Sequence, residues 1–217
     1  MLKYEELKIW QRNHRTKFSP ALSLRTHRAL SWLHRAEQET KDEDARFLFL
    51  WIAFNAAYAN EAHESGDFTE RGLLNQFLQR LVDFDHDHLL DEIVWEQFSS
   101  SIRVLIDNHY VYQPFWRHQA GLMEEAEWKE AFENSKAAAH RALGHMDTTK
   151  VLCIIFDRLY TLRNQMVHGG STWNSTVNRA QMRDGSNILG MLVPAIIHLM
   201  MVNHNQVWGD ACYPVVE

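Results

Sequence analysis

Apolar residues recur at helical spacing along almost the whole chain, and very little interrupts them. Among 217 residues there are only 9 Gly and 4 Pro, about half the usual share of these two breakers. A sandwich or barrel of short strands needs many more turns than that supply can build. The chain is therefore expected to be all-α, a helical bundle. Its apolar and aromatic content excludes a disordered chain, and its length suits one large domain with a core of its own.

Punctuation places the expected helices. Leu7 and Trp10 belong to a first short helix ending near Ser19-Pro20. Ser23 is a candidate cap for a second, carrying Leu24, Leu30, Trp32 and Leu33. The acidic Asp42-Glu43-Asp44 suits the N-terminus of a third, from Arg46 to about Ala62, stopped by Ser65-Gly66-Asp67. Its run Phe47 to Phe54 is apolar nearly all round, which predicts a central, buried helix. Helices are expected over about 70–84, 88–107 and 124–143, with the aromatic stretch 108–121 as a packed loop. Asp147 is a good N-cap for a helix from Thr148 to His168, which Gly169-Gly170 stops. A last helix is expected from Asp184 or Ser186 to near Val207.

Two cysteines, Cys153 and Cys212, are too few for a disulfide framework. The first 17 residues are studded with charge and lack the apolar core of a secretory signal. No run of about 18 apolar residues stands out, so no membrane span and no membrane partner are expected. The cytoplasm is the expected compartment.

Charge is unevenly spread. The net charge is −6, yet no acidic residue lies between Glu6 and Glu37. Residues 1–36 carry 8 basic and 2 acidic side chains, net +6; residues 37–217 carry 14 and 26, net −12. A basic lobe on an acidic body suits a polyanion held locally; a solvated helix face pairing with acidic neighbours is the alternative.

The end of the 148–168 helix holds the chemistry. At about 100° per residue, Leu152, Ile155, Leu159, Leu162 and Met166 share one apolar arc, and Arg163 projects within it. A guanidinium cannot shed its charge, so it must be paired or face a wet cleft. Asn164 and His168 lie one turn apart, on a polar stripe with Asp157 and Tyr160. His can take and give a proton near neutral pH. Arg can hold a phosphate with two parallel hydrogen bonds. The set suits metal-free phosphodiester cleavage. It equally suits a buried Arg paired with another helix, with His168 capping the helix end.

Arg163-Asn164-Gln165-Met166-Val167-His168 resembles the R-N-x-x-x-H signature of HEPN domains (higher eukaryotes and prokaryotes nucleotide-binding). Arg28-Ala29-Leu30-Ser31-Trp32-Leu33, followed by the segment from Phe47 to Tyr58 with Trp51, Ala53, Phe54, Asn55, Ala56 and Tyr58, resembles the first core helices of Apea-like HEPN proteins. The resemblance covers residues 23–207. It implies a single HEPN-like domain over 1–217 with a basic helical extension at 1–22. It further implies a homodimer with the signature helices near the two-fold axis, and a metal-independent endoribonuclease of the toxin or phage-defence kind. RNA is then the substrate and an antitoxin protein a further partner. His168 would be the general acid/base, Arg163 the phosphate ligand and Asn164 the residue that orients the site. The alternative within the family is a non-catalytic module binding RNA, a nucleotide or a protein.

Asp157, Tyr160 and Asn55 are supporting candidates. Asn55 sits in an apolar helix and is expected to find hydrogen-bond partners, for structure or for the site. Asp83-Phe84-Asp85-His86-Asp87-His88 is rich in potential ligands, but adjacent loop residues seldom converge on one ion; neither metal nor cofactor is expected. Trp173 is either a stacking platform for a base or a plug for the bundle end. Arg179 and Arg183 follow closely enough to track a phosphate backbone. No phosphate-binding glycine loop, G-x-S-x-G or C-x-x-C motif occurs, which argues against P-loop, dinucleotide and serine-hydrolase chemistry.

Overall fold

The periodicity becomes helix nearly everywhere. A computed structural model describes residues 2–59, 70–97, 99–176 and 178–213, and among the described residues there is no strand. The chain divides into two compact units, residues 1–89 with 182–217, and residues 90–181.

The first unit contains α1 (Tyr4–His14), α2 (Pro20–Gln38), α3 (Glu43–Tyr58), α4 (Glu70–Asp83) and most of α10 (Arg179–Val202). A 3-10 turn, Arg15–Lys17, follows α1. The second helix starts earlier than Ser23: the Ser19 hydroxyl accepts from the Leu22 amide at 3.2 Å. Pro20 then takes the first helical position, where its missing N–H costs nothing. Asp42 caps α3 by accepting from the Ala45 amide at 3.0 Å. A short connection returns α2 against α3, and the two bury Leu22, Leu30, Leu33, Phe47, Leu50 and Phe54. The third helix is less enclosed than its composition suggests, since Ile52 is exposed and Phe49 half-buried. It ends at Tyr58; the expected stop at Ser65-Gly66-Asp67 lies outside the described residues.

The tenth helix begins at Arg179, several residues before the expected caps. Ser186 is buried inside it, and its hydroxyl donates to the Glu43 carbonyl at 3.1 Å. A hydroxyl engaged on a neighbouring helix no longer competes with its own helix. By length and composition α10 could cross a membrane, which corrects the expectation that no such stretch exists; 72% of its most apolar window is buried inside the protein.

The second unit contains a π-helical turn (Glu92–Gln97) that follows the short α5 (Leu89–Asp91), then α6 (Ser99–Asp107), α7 (Gln113–Gln119), α8 (Glu125–Gly144) and α9 (Thr148–Val167). The packed loop expected at 108–121 is instead a 3-10 turn, His109–Val111, followed by α7 with Pro114 in its first turn. The ninth helix packs against α6 and α8, and Val151, Leu152, Ile155, Phe156, Leu159 and Leu162 are all buried. Here too lies Arg158, fully buried. Its guanidinium stacks over the Tyr112 ring at 4.3 Å and donates to the Ser135 hydroxyl at 3.1 Å.

Candidate functional site

The candidate residues depend on a helix whose two ends are well determined. The Asp147 carboxylate accepts from the Lys150 amide at 3.0 Å and starts α9. At the other end Gly169 takes φ +70°, the left-handed region that a Cβ disfavours. The Gly169 amide donates to the Met166 carbonyl at 3.1 Å, and the Gly170 amide to the Gln165 carbonyl at 2.6 Å. These two bonds form a Schellman cap and satisfy carbonyls that the helix leaves orphaned. His168 is therefore the C-cap residue, and its own amide donates to the Asn164 carbonyl at 3.0 Å.

Arg163 and Asn164 are joined directly. The Arg163 Nη1 donates to the Asn164 Oδ1 at 2.7 Å, and the guanidinium lies 5.6 Å from the centre of the Tyr160 ring. An amide oxygen and an aromatic face thus orient the fork. Arg163 is half-buried rather than enclosed; the enclosed arginine of this helix is Arg158. The wheel places Arg158 at the edge of the apolar arc, and the aromatic rings of Tyr112 and Phe132 extend that arc around it.

The His168 ring is exposed and makes no hydrogen bond or ring contact with the described residues. It can exchange protons with solvent or with a bound hydroxyl. Asp157 is half-buried, its carboxylate 4.0 Å from the Arg158 Nη1. Tyr160 serves as the platform under Arg163. Four of the six candidates therefore lie in α9, and His168 caps its end. Asn55 belongs to the other unit, where it lines a groove with Arg28, Ile52 and Tyr213. It is half-exposed, and its side-chain amide bonds to none of the described residues.

One neighbour of α9 escaped the reading of the sequence. The Tyr110 carbonyl accepts from the Gln165 Nε2 at 2.6 Å and from the Trp116 Nε1 at 2.7 Å. Gln165 occupies a variable position of the signature, yet it ties the helix end to two aromatic rings that are both exposed. Exposed rings can stack on unpaired bases. The dense aromatics of His109 to Trp116 were the available signal. Trp173 is 75% exposed, so it does not plug the bundle.

The Asp83–His88 loop has a local role. Asp85 is buried, and its carboxylate accepts from the Leu89 amide at 3.0 Å. Among the described residues no three or more His, Cys, Asp or Glu side chains are grouped to hold a metal. No family model matches the chain, and no curated protein or solved structure shows significant similarity to it.

Proposed function

We propose that the C-terminal end of α9 is the active site of a metal-independent endoribonuclease of the HEPN type, acting in the cytoplasm as a homodimer. The observation that carries this reading is the Arg163–Asn164 bond at 2.7 Å, with the exposed His168 one turn beyond it. A fork held in one orientation can meet a phosphate without first giving up side-chain freedom.

The chemistry is an internal transfer. A neutral His168 takes the proton of a ribose 2′-OH, and that oxygen attacks the adjacent phosphorus. Arg163 stabilises the charge that builds on the phosphoryl oxygens. The bond from phosphorus to the 5′-oxygen breaks, and the departing oxygen takes a proton from an imidazolium. The products are a 2′,3′-cyclic phosphate and a 5′-OH. One imidazole cannot be base and acid in the same step, so the second is His168 of the other copy. Such an enzyme suits a toxin or phage-defence role, restrained by an antitoxin protein.

The test is incubation of wild-type and His168→Ala protein with structured and single-stranded RNA in EDTA. Wild-type protein is expected to leave cyclic-phosphate ends. The variant is expected to be slower by about 10²–10⁴, the usual contribution of a positioned general acid or base. Equal cleavage by both proteins overturns the proposal. Binding of RNA without cleavage by either supports the non-catalytic module instead.

A further inference from the structure

A groove of about 680 Å³ lies between α1 and α2, within one unit and outside the site proposed above. Lys8, Arg12 and Arg15 line it from one side, and Ser23 and His27 from the other. Among the described residues no carboxylate lines it. The three cations recur at helical spacing, so they share one face over about 10 Å of axis. Ser23 and His27 are likewise one turn apart.

The groove is built rather than incidental. Gln11 at its floor is buried, and its Nε2 donates to the Thr26 hydroxyl at 3.3 Å. The Gln11 Oε1 accepts from the Lys8 ammonium at 2.7 Å. A fixed amide thus aims an ammonium that keeps further N–H donors for a ligand. Burial, then the neighbouring Arg12 and Arg15 charges, hold Lys8 below its usual range. An anion in the groove would relieve that repulsion.

Among the described residues no carboxylate pairs with these cations. Lys8, Arg12, Arg15 and His27 form no ion pair with the described residues. Other cations of the same unit are engaged: Arg28 donates to the Cys212 and Tyr213 carbonyls, Arg35 pairs with Glu39, and Arg46 pairs with Glu43. The basic face is also short. Glu5 and Glu6 stand just upstream on α1, and the remainder of the chain is net negative. A long polyanion would run into that field; a compact one would not.

We propose that the groove between α1 and α2 binds linked phosphates, as a free oligophosphate or as the tail of a nucleoside triphosphate. Several negative charges on a compact ligand match three cations and a protonatable imidazole. A lone carboxylate or a single phosphate would leave most of them uncompensated.

The test is calorimetric titration of the full chain at low salt in EDTA with tripolyphosphate, ATP, orthophosphate and a short RNA. Tripolyphosphate is expected to saturate one site per chain and to bind at least about tenfold more tightly than orthophosphate, a difference of about 1.4 kcal/mol. Arg12→Ala and Arg15→Ala, both at exposed positions, are each expected to weaken it by about tenfold. Equal affinity for ATP and tripolyphosphate assigns recognition to the phosphate chain; tighter binding of ATP assigns it to a nucleotide. Absence of saturable binding by either, binding untouched by both substitutions, or binding of RNA alone overturns the proposal. The titration does not read RNA cleavage, so this inference and the ribonuclease reading can fail separately.

Discussion

Arg25 is 1% exposed. Its fork donates to four carbonyls, those of Trp208 and Gly209 on one nitrogen and of Tyr58 and Ala59 on the other. Burial pushes its pKa down to about 10, against the opposing pull of Cys212 and Asp210. The group therefore stays charged at neutral pH and holds the segment after α10 onto the end of α3. Arg25→Ala strands several buried acceptors and is expected to cost about 3 kcal/mol or more, read as a lower urea midpoint. Arg25→Lys keeps the charge but lacks the fork, and it is expected to recover little of the loss. The same contrast applies to Arg163. Under the proposed reaction, Arg163→Lys is expected to bind RNA nearly as well as wild type on a gel-shift titration, yet to cleave it at least about tenfold more slowly, because the two-pronged grip is lost.

At the scale of elements, α9 depends on its C-cap. A Cβ at Gly169 would meet nothing within 4 Å, so substitution there carries backbone strain and no clash. Gly169→Ala is expected to cost about 1–2 kcal/mol. On a chain of this size that is a fall of several degrees in Tm, at about 2–4 °C per kcal/mol. Under the proposed reaction it is also expected to slow RNA cleavage, since the Schellman bonds position His168. This helix was legible in the sequence from Asp147 to Gly169 because capping is local chemistry. Where neighbours decide, legibility failed. Ser186 reads as a cap and is interior because Glu43 takes its hydroxyl. The aromatic stretch 108–121 lacks a clean period, yet its rings pack on one another, as at Tyr110 and Phe115, and form a turn and α7. Arg158 is enclosed by rings from distant segments, which no helical wheel contains. The candidate residues on α9 were legible as a set; the Tyr110 link to Gln165 was not, because it joins residues far apart in sequence.

Packing between α1 and α10 makes a separate prediction. The His198 ring of α10 meets Trp10 of α1 edge-on at 6.3 Å. Burial holds its pKa below the ordinary 6.5, and Asp87 and Asp85 oppose the shift without reversing it. Below pH 6.5 the unfolded chain takes up a proton that the folded chain resists. The fold therefore loses stability as pH falls from that value through the lower folded one, and regains it above. His198→Phe is expected to show a smaller drop in Tm between about pH 7.5 and about pH 5 than wild type.

At the scale of the whole molecule, charge and stoichiometry constrain the proposed reaction together. A chain that is net −6 repels RNA at long range, so productive contact must rely on a few close cations. His168 sits at the exposed end of α9, where an axis of symmetry would bring two copies of the same imidazole to one phosphate. Each site would then need two functional histidines drawn from two chains. Mixing wild-type with His168→Ala protein, under conditions that let subunits exchange, makes this measurable. If both imidazoles are required, activity follows the square of the wild-type fraction, and an equal mixture retains a quarter of the wild-type rate. If one chain suffices, the mixture retains half. Light scattering on the same samples is expected to show dimers throughout, because His168 is solvent-facing and its loss removes no packing. A linear dependence with dimers intact would place base and acid within a single chain, and the second proton donor would then be sought among Tyr160 and Asp157 on the same helix.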